Sequence, residues 1–320
     1  MTIGVLIIGL GQIGMASDLK LDDRQHVYTH ARAFAKHPAF TLLGGVDACP
    51  QRCAEFRAHY NQPTFINVTE GIAACKPDVV VIAVPTDDHA LVLQEVLEAG
   101  LPQAVLCEKP LAYELSLAAE MVERCKEKNC QLFVNYVRRV DPAVREIKLW
   151  IEKGQIATPV KGTFWYTKGL FHNGSHGFDL MQHLFGTMQS FRVVGSGRCR
   201  GKDTEPDVVI AFGTNLIHFI SAREENYELF AADLVSPSGR LRYDLGGERV
   251  LWQPVVESLS SPGYRVLDTN GQLLENSLLR IQWHVADQLA SALSGSPGPL
   301  CSGDEALCTI ECLDSIRNAL

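Results

Sequence analysis

IGVLIIGLGQIG, residues 3–14, drives an unbroken apolar run into three glycines spaced as G-x-G-x-x-G. An apolar run of this kind reads as a β-strand covered on both faces, as in a parallel sheet. Glycines directly behind such a strand let backbone N–H groups approach a dinucleotide's pyrophosphate, which a Cβ would keep out. Gly9, Gly11, Gln12, Ile13 and Gly14 are therefore expected to cradle a nicotinamide dinucleotide. The companion signal is an acid ending the next strand, and Asp47 in GGVDACP is placed to accept hydrogen bonds from both ribose hydroxyls. A carboxylate there repels a 2′-phosphate, so NAD is expected over NADP. Gly14 and Asp47 stand farther apart than the usual ~20 residues. The excess, MASDLKLDDRQ (15–25), is polar and poorly periodic, so the first helix is expected to start near Val27, the insert forming a lid or moving the helix dipole away from the phosphates.

The same texture continues outward. TLLGGVD (41–47), DVVVIAVP (78–85), AVLCEKP (104–110) and QLFVNY (131–136) read as further parallel strands, with helices such as 89–100 and 114–129 between them. Alternating strand and helix predicts an α/β class, with an N-terminal doubly wound Rossmann domain over 1–135. After a helix over 141–154, segments such as VKGTFWYTKG and DVVIAFGT alternate apolar and polar residues between Gly, Pro and Asn turns. They predict a C-terminal α+β domain, 136–320, on a largely antiparallel open sheet, its last helix (303–319) packing back on the body.

The chain has 320 residues, 46% hydrophobic and 21% charged, enough for two domains with real cores. Its formal net charge of −8, without a Lys or Arg run, argues against nucleic acid. No basic leader and no apolar window near ~18 residues is read, so a soluble cytoplasmic protein with no membrane partner is expected. The ten cysteines are dispersed without a Cys-x-x-Cys pair and read as reduced thiols.

Lys109 ends a parallel strand, where open α/β sheets collect their ligands. Partly desolvated there, an ammonium can lose basicity and hydrogen-bond a substrate hydroxyl; the alternative is a solvated lysine closing a strand. From GLGQIG through VVVIAVPTDDHA and CEKPLA to HNGSHGFDLMQHLFG, the sequence resembles the glucose-fructose oxidoreductase, inositol dehydrogenase and MocA (Gfo/Idh/MocA) family. The resemblance implies that Lys109, in Glu108-Lys109-Pro110, is catalytic beside the nicotinamide. It implies that Pro85, Thr86 and His89 line the cofactor, Asp87 standing where the family often has Asn, and that Asn135 and Arg139 border the substrate pocket.

HNGSHGFDLMQHLFG (172–186) puts His176, Asp179 and His183 on one helix face. In the family a histidine or tyrosine of this segment transfers the proton, which falls on His176, with Asp179 orienting it and His183 the second candidate. Where relatives often carry an Asp four residues earlier, this chain has His172. His172, His176, Asp179 and His183 also suggest zinc, but Asn173-Gly174-Ser175 is a poor helix interior and hydride transfer to a nicotinamide needs no metal, so none is expected. For Lys168, at the end of FWYTKG, the resemblance of TKGLFHNGSH to family members of nucleotide-sugar pathways implies contact with an anionic or nucleotide-sugar substrate, the alternative being an exposed strand end.

Together these readings predict an NAD(P)-dependent dehydrogenase acting on a sugar, polyol or nucleotide-sugar hydroxyl, its substrate between the two domains. The rival readings are a non-catalytic dinucleotide sensor working through partners, and a redox-assisted glycosidase. A homodimer or homotetramer through the outer face of the antiparallel sheet is expected, as in relatives.

Overall fold

A computed structural model describes residues 2–296 and 298–320. The chain divides into two compact units, residues 1–140 with 279–310 and residues 141–278 with 311–320.

In the first unit six strands run parallel: β1 (Ile3–Ile8), β2 (Phe40–Val46), β3 (Thr64–Phe65), β4 (Val79–Ile82), β5 (Ala104–Cys107) and β6 (Gln131–Val134). Their order, β6-β5-β4-β1-β2-β3, places β1 at the centre, and Val5, Leu6 and Ile7 are completely buried. Each such side chain contributes about 1.5–3 kcal/mol by leaving water. Between the strands lie α1 (His30–Lys36), α2 (Pro50–Tyr60), α3 (Val68–Cys75), α4 (His89–Ala99) and α5 (Leu115–Glu127). The order reverses beside β1, as in doubly wound folds.

The insert resolves into a specific backbone arrangement. Behind the glycines one helical turn begins, Met15 N–H donating to Gly11 O at 2.9 Å. Gln12 O accepts from Ser17 at 3.0 Å, and the carbonyls after it, of Ile13 and Gly14, accept from His30 and Ala31 at 3.1 and 2.9 Å. In an uninterrupted helix residues 17 and 18 would make those bonds. His30 therefore stands in position 17, and residues 17–29 are a 13-residue excursion that rejoins the ladder it left. Removing those 13 from the 33 positions between Gly14 and Asp47 leaves 20, which matches the usual dinucleotide spacing of about 20.

The helix start expected near Val27 is corrected to His30. Thr29 is its N-cap, accepting from Arg32 N–H, while Val27 is buried and donates to Leu279 O. Asp18 pins the excursion: completely buried, it accepts from the backbone N–H groups of Tyr28 and Thr29 and from the Thr29 hydroxyl, and its Oδ1 lies 3.5 Å from Arg32 Nε.

The first domain was expected to end at 135, but residues 279–310 return to it. They carry α8 (Ile281–Leu293), which packs on α1, the edge strand Cys301–Ser302, which pairs antiparallel with β6, and the start of α9 (Gly303–Arg317). An edge strand of two residues has no pattern to read, and α8 buries apolar residues much as a helix of either unit would.

The second unit opens with α6 (Pro142–Glu152), capped by the Asp141 carboxylate on Ala143 N–H. Its sheet contains β7 (Lys161–Tyr166), β8 (Met188–Gly195), β9 (Asp207–Phe212), β10 (Asn215–Ser221), β11 (Phe230–Ser236), β12 (Gly239–Asp244), β13 (Arg249–Glu257), β14 (Arg265–Leu267) and β15 (Gln272–Leu274). Every pairing in it is antiparallel except β7 with β10. Phe164, Phe219 and Phe230 pack beneath α7 (Ser175–Phe185), where Gly177 leaves room for Phe164: a Cβ there would sit 2.3 Å from its ring. No described helix is long and apolar enough to cross a membrane.

Candidate functional site

In the first unit the candidate residues gather at the carboxyl ends of the parallel strands. Gly9 closes β1 with φ +96°, and a Cβ there would lie 2.5 Å from Ala83 backbone atoms. A Cβ on Gly14 would lie 1.9 Å from Gly9 O. Gly11 differs, since a Cβ there would meet nothing nearer than Arg52 Nη1 at 3.9 Å. Two glycines thus serve packing and one leaves an open cradle, as phosphate approach requires. Gln12 is exposed and Ile13 half-buried at the rim.

Asp47 is bonded into this loop. Its Oδ2 accepts Leu10 N–H and its Oδ1 accepts Cys49 N–H, both at 2.8 Å. Arg52 Nη1 stands 3.5 Å from Oδ2 on a side chain 53% exposed. Sequence reasoning passed over Arg52, which lies one turn into α2 with no motif around it. An arginine there is the kind of group that accommodates a 2′-phosphate.

At the end of β5, Glu108 is a hub. Its Oε1 accepts from Asn135 Nδ2 at 2.7 Å and lies 2.8 Å from His30 Nε2. Burial pushes the carboxyl's pKa up, but the His30 hydrogen bond, the His30 charge, the Asn135 amide and the Lys109 charge outweigh it and hold it below the ordinary value. Lys109 follows, half-buried, with a cis peptide to Pro110. Asn135 is 2% exposed, so it reaches this site through Glu108. Sequence reasoning missed His30 because the excursion separates it from the glycines; in helix register it stands only three places after Gly14.

Pro85 is exposed and Thr86 half-buried in the turn after β4. His89 is 1% exposed, its Nδ1 and Nε2 each 3.1 Å from a carbonyl, of Leu111 and Val84. Burial lowers its basicity, and a neutral ring donates to only one of them. It ties the turn after β4 to the loop after Lys109. Arg139, expected at the substrate pocket, is buried and paired with Glu305 at 2.6 Å. A cavity of about 580 Å³ lined by Ile72, Lys76, Asp78 and Gln103 opens at the amino ends of β4 and β5, the end of an open α/β sheet that does not collect ligands.

In the second unit α7 carries His176 and His183 half-buried and Asp179 completely buried, all three on one uninterrupted helix. Residues 169–174 wind as a π turn leading into α7, so Asn173-Gly174 does not break the helical path. Asp203, unnoticed in the sequence, accepts the Phe171 and His172 N–H groups at this turn. Lys168, at φ +68° after β7, pairs with Glu228 at 2.8 Å.

Residues 3–136 match the family model described as oxidoreductase family, NAD-binding Rossmann fold. An inositol 2-dehydrogenase from Corynebacterium glutamicum is 35% identical over 121 residues, 38% of this chain and 34% of that protein. A D-xylose 1-dehydrogenase [NADP(+)] from Haloarcula marismortui is 34% identical over 97 residues, 30% of this chain and 26% of that one. The chain thus spans about a third or less of the length of these relatives. The WlbA dehydrogenase from Bordetella pertussis, solved in complex with NADH and UDP-GlcNAcA, shares the fold with a TM-score of 0.76 at 18% identity, over 99% of this chain and 95% of that one.

Proposed function

We propose, on the membership of residues 3–136 in the oxidoreductase family with an NAD-binding Rossmann fold, that the chain is a nicotinamide-dependent dehydrogenase. Its substrate on this reading is a hydroxyl of a sugar, polyol or nucleotide sugar, the classes that the relatives' names span. The observation that carries the reading is the gathering, at the carboxyl ends of one parallel sheet, of the open Gly11 cradle, Asp47 and Lys109.

Bound NAD or NADP would supply the hydride acceptor. The N–H groups of the glycine loop would hold its phosphates and Asp47 its ribose hydroxyls. Lys109 would donate a hydrogen bond to the substrate oxygen and stabilise the alkoxide as it forms. His176 is the proposed general base for the hydroxyl proton, its ring held by Asp179, with His183 second. NAD is the preferred cofactor on the Asp47 reading, and Arg52 keeps NADP in view. Lys168 and Asn135 are proposed to bound the substrate, the first by its charge and the second through Glu108. The second unit's sheet is proposed to pair copies as a homodimer or homotetramer, measurable by light scattering.

The test is the purified chain with NAD or NADP and a panel of polyols, sugars, sugar acids and nucleotide sugars, read at the absorbance of the reduced nicotinamide. Turnover with one of them, falling about 10²–10⁴-fold in Lys109→Ala, supports the reading. Tight cofactor binding without turnover on any substrate would make the chain a sensor instead.

A further inference from the structure

The end of α5 sets two cysteines against each other. Asn129 takes a left-handed φ of +53°, its N–H reaches Lys126 O at 3.0 Å, and Cys130 N–H reaches Cys125 O at 2.9 Å. These two bonds and the left-handed residue define a Schellman ending, in which the side chains at Cys125 and Cys130 are the pair that meet. That contact is usually apolar; here it is thiol on thiol. Both are free thiols, 1% and 5% exposed, and both line a cavity of about 230 Å³ with Lys126, Gln131 and Asp304.

We propose that Cys125 and Cys130 form a dithiol site that low-molecular-weight disulfides oxidise to an intramolecular disulfide. The ending holds the two backbones within one hydrogen bond of each other, the near approach a disulfide needs. The two thiols interact electrostatically with each other. Cys130, the more exposed of the two, is the attacking sulfur, and its contact with Cys125 also holds its thiol below the ordinary range. The Cys130 thiolate attacks one sulfur of the reagent and a small thiolate leaves, giving a mixed disulfide in the cavity. Cys125 then loses its proton and attacks the Cys130 sulfur, and the second small thiolate leaves. Two protein thiols are oxidised and one small disulfide is reduced to two thiols. The new bond ties α5 to β6, the strand that leads to Asn135.

The folded chain would be incubated with glutathione disulfide, quenched with an alkylating agent and digested at Lys126 and Lys128. Cleavage there leaves the cysteines on separate peptides unless a disulfide joins them. Joined peptides that vanish on reduction are expected in the wild type. Cys125→Ala should stop at a glutathione adduct on Cys130, and Cys130→Ala should leave Cys125 alkylatable, with circular dichroism checking that each variant folds. Both cysteines fully alkylated in the wild type, or a lasting glutathione adduct without linkage, would overturn the proposal. The wild-type digest decides this even if neither variant folds.

Discussion

The imidazole of His30 lies 2.8 Å from the Glu108 carboxylate, although 78 positions separate them in sequence. It gets there because α1 rejoins the turn begun by the glycines, so the glycine loop and the Glu-Lys-Pro segment share one buried contact. His30→Ala leaves that carboxylate with fewer donors and is expected to cost about 1–3 kcal/mol, measured by urea unfolding. His30→Gln, which keeps a donor, should recover part of the loss. Equal losses in both variants would assign the effect to packing.

The same carboxylate sets a pH dependence. Its folded pKa lies below the ordinary 4.5, so the stability it contributes is full above 4.5 and is lost as pH falls through the depressed value. Unfolding free energies measured from pH 7 down to about 3 should fall less steeply in Glu108→Gln than in the wild type. Parallel curves would show that other acids carry the acid limb.

Asp18 and Arg32 are 0% and 3% exposed. Asp18→Ala removes the acceptor of three hydrogen bonds and leaves a guanidinium buried, so a loss of about 3–5 kcal/mol is expected. A shift of the unfolding midpoint within error of the wild type would contradict the anchoring role.

At the cofactor end, Asp47→Ser removes the charge that opposes a 2′-phosphate and leaves Arg52 in place. The NADP-to-NAD ratio of kcat/KM, or of affinities by nucleotide fluorescence, should rise about tenfold or more, roughly 1.4 kcal/mol. No change in the ratio would remove Asp47 from cofactor choice.

His176→Ala should lower kcat by about 10²–10⁴-fold with a folded protein, and Asp179→Asn by less. Should His183→Ala give the larger loss, the proton-transfer role belongs there.

The parallel sheet was legible because unbroken runs such as 79–82 and 104–107 have one interpretation when helices lie between them. The antiparallel sheet was legible from the alternation in stretches such as 239–244. Gly9, Gly14 and Asp47 carried their geometry in their spacing once 13 residues are set aside. That set-aside was not legible, since nothing local says that Ile13 O will meet His30 N–H. Nor was the pairing of Arg139 with Glu305, which joins partners 166 positions apart. His89 was singled out by its motif, but burial between two carbonyls makes it a strut between the turn after β4 and the loop after Lys109.

The excursion at 17–29 leaves and re-enters its helix at points spaced like consecutive residues, so nothing in the sheet depends on how far the chain travels between them. A fluorescent reporter spliced between Lys20 and Gln25, where the side chains are exposed, would sit against α1, whose Arg32 and Lys36 hold Leu21 and Asp23, while the strands beneath kept their register. An addition of this kind makes the fold look misaligned in sequence while leaving it intact in space.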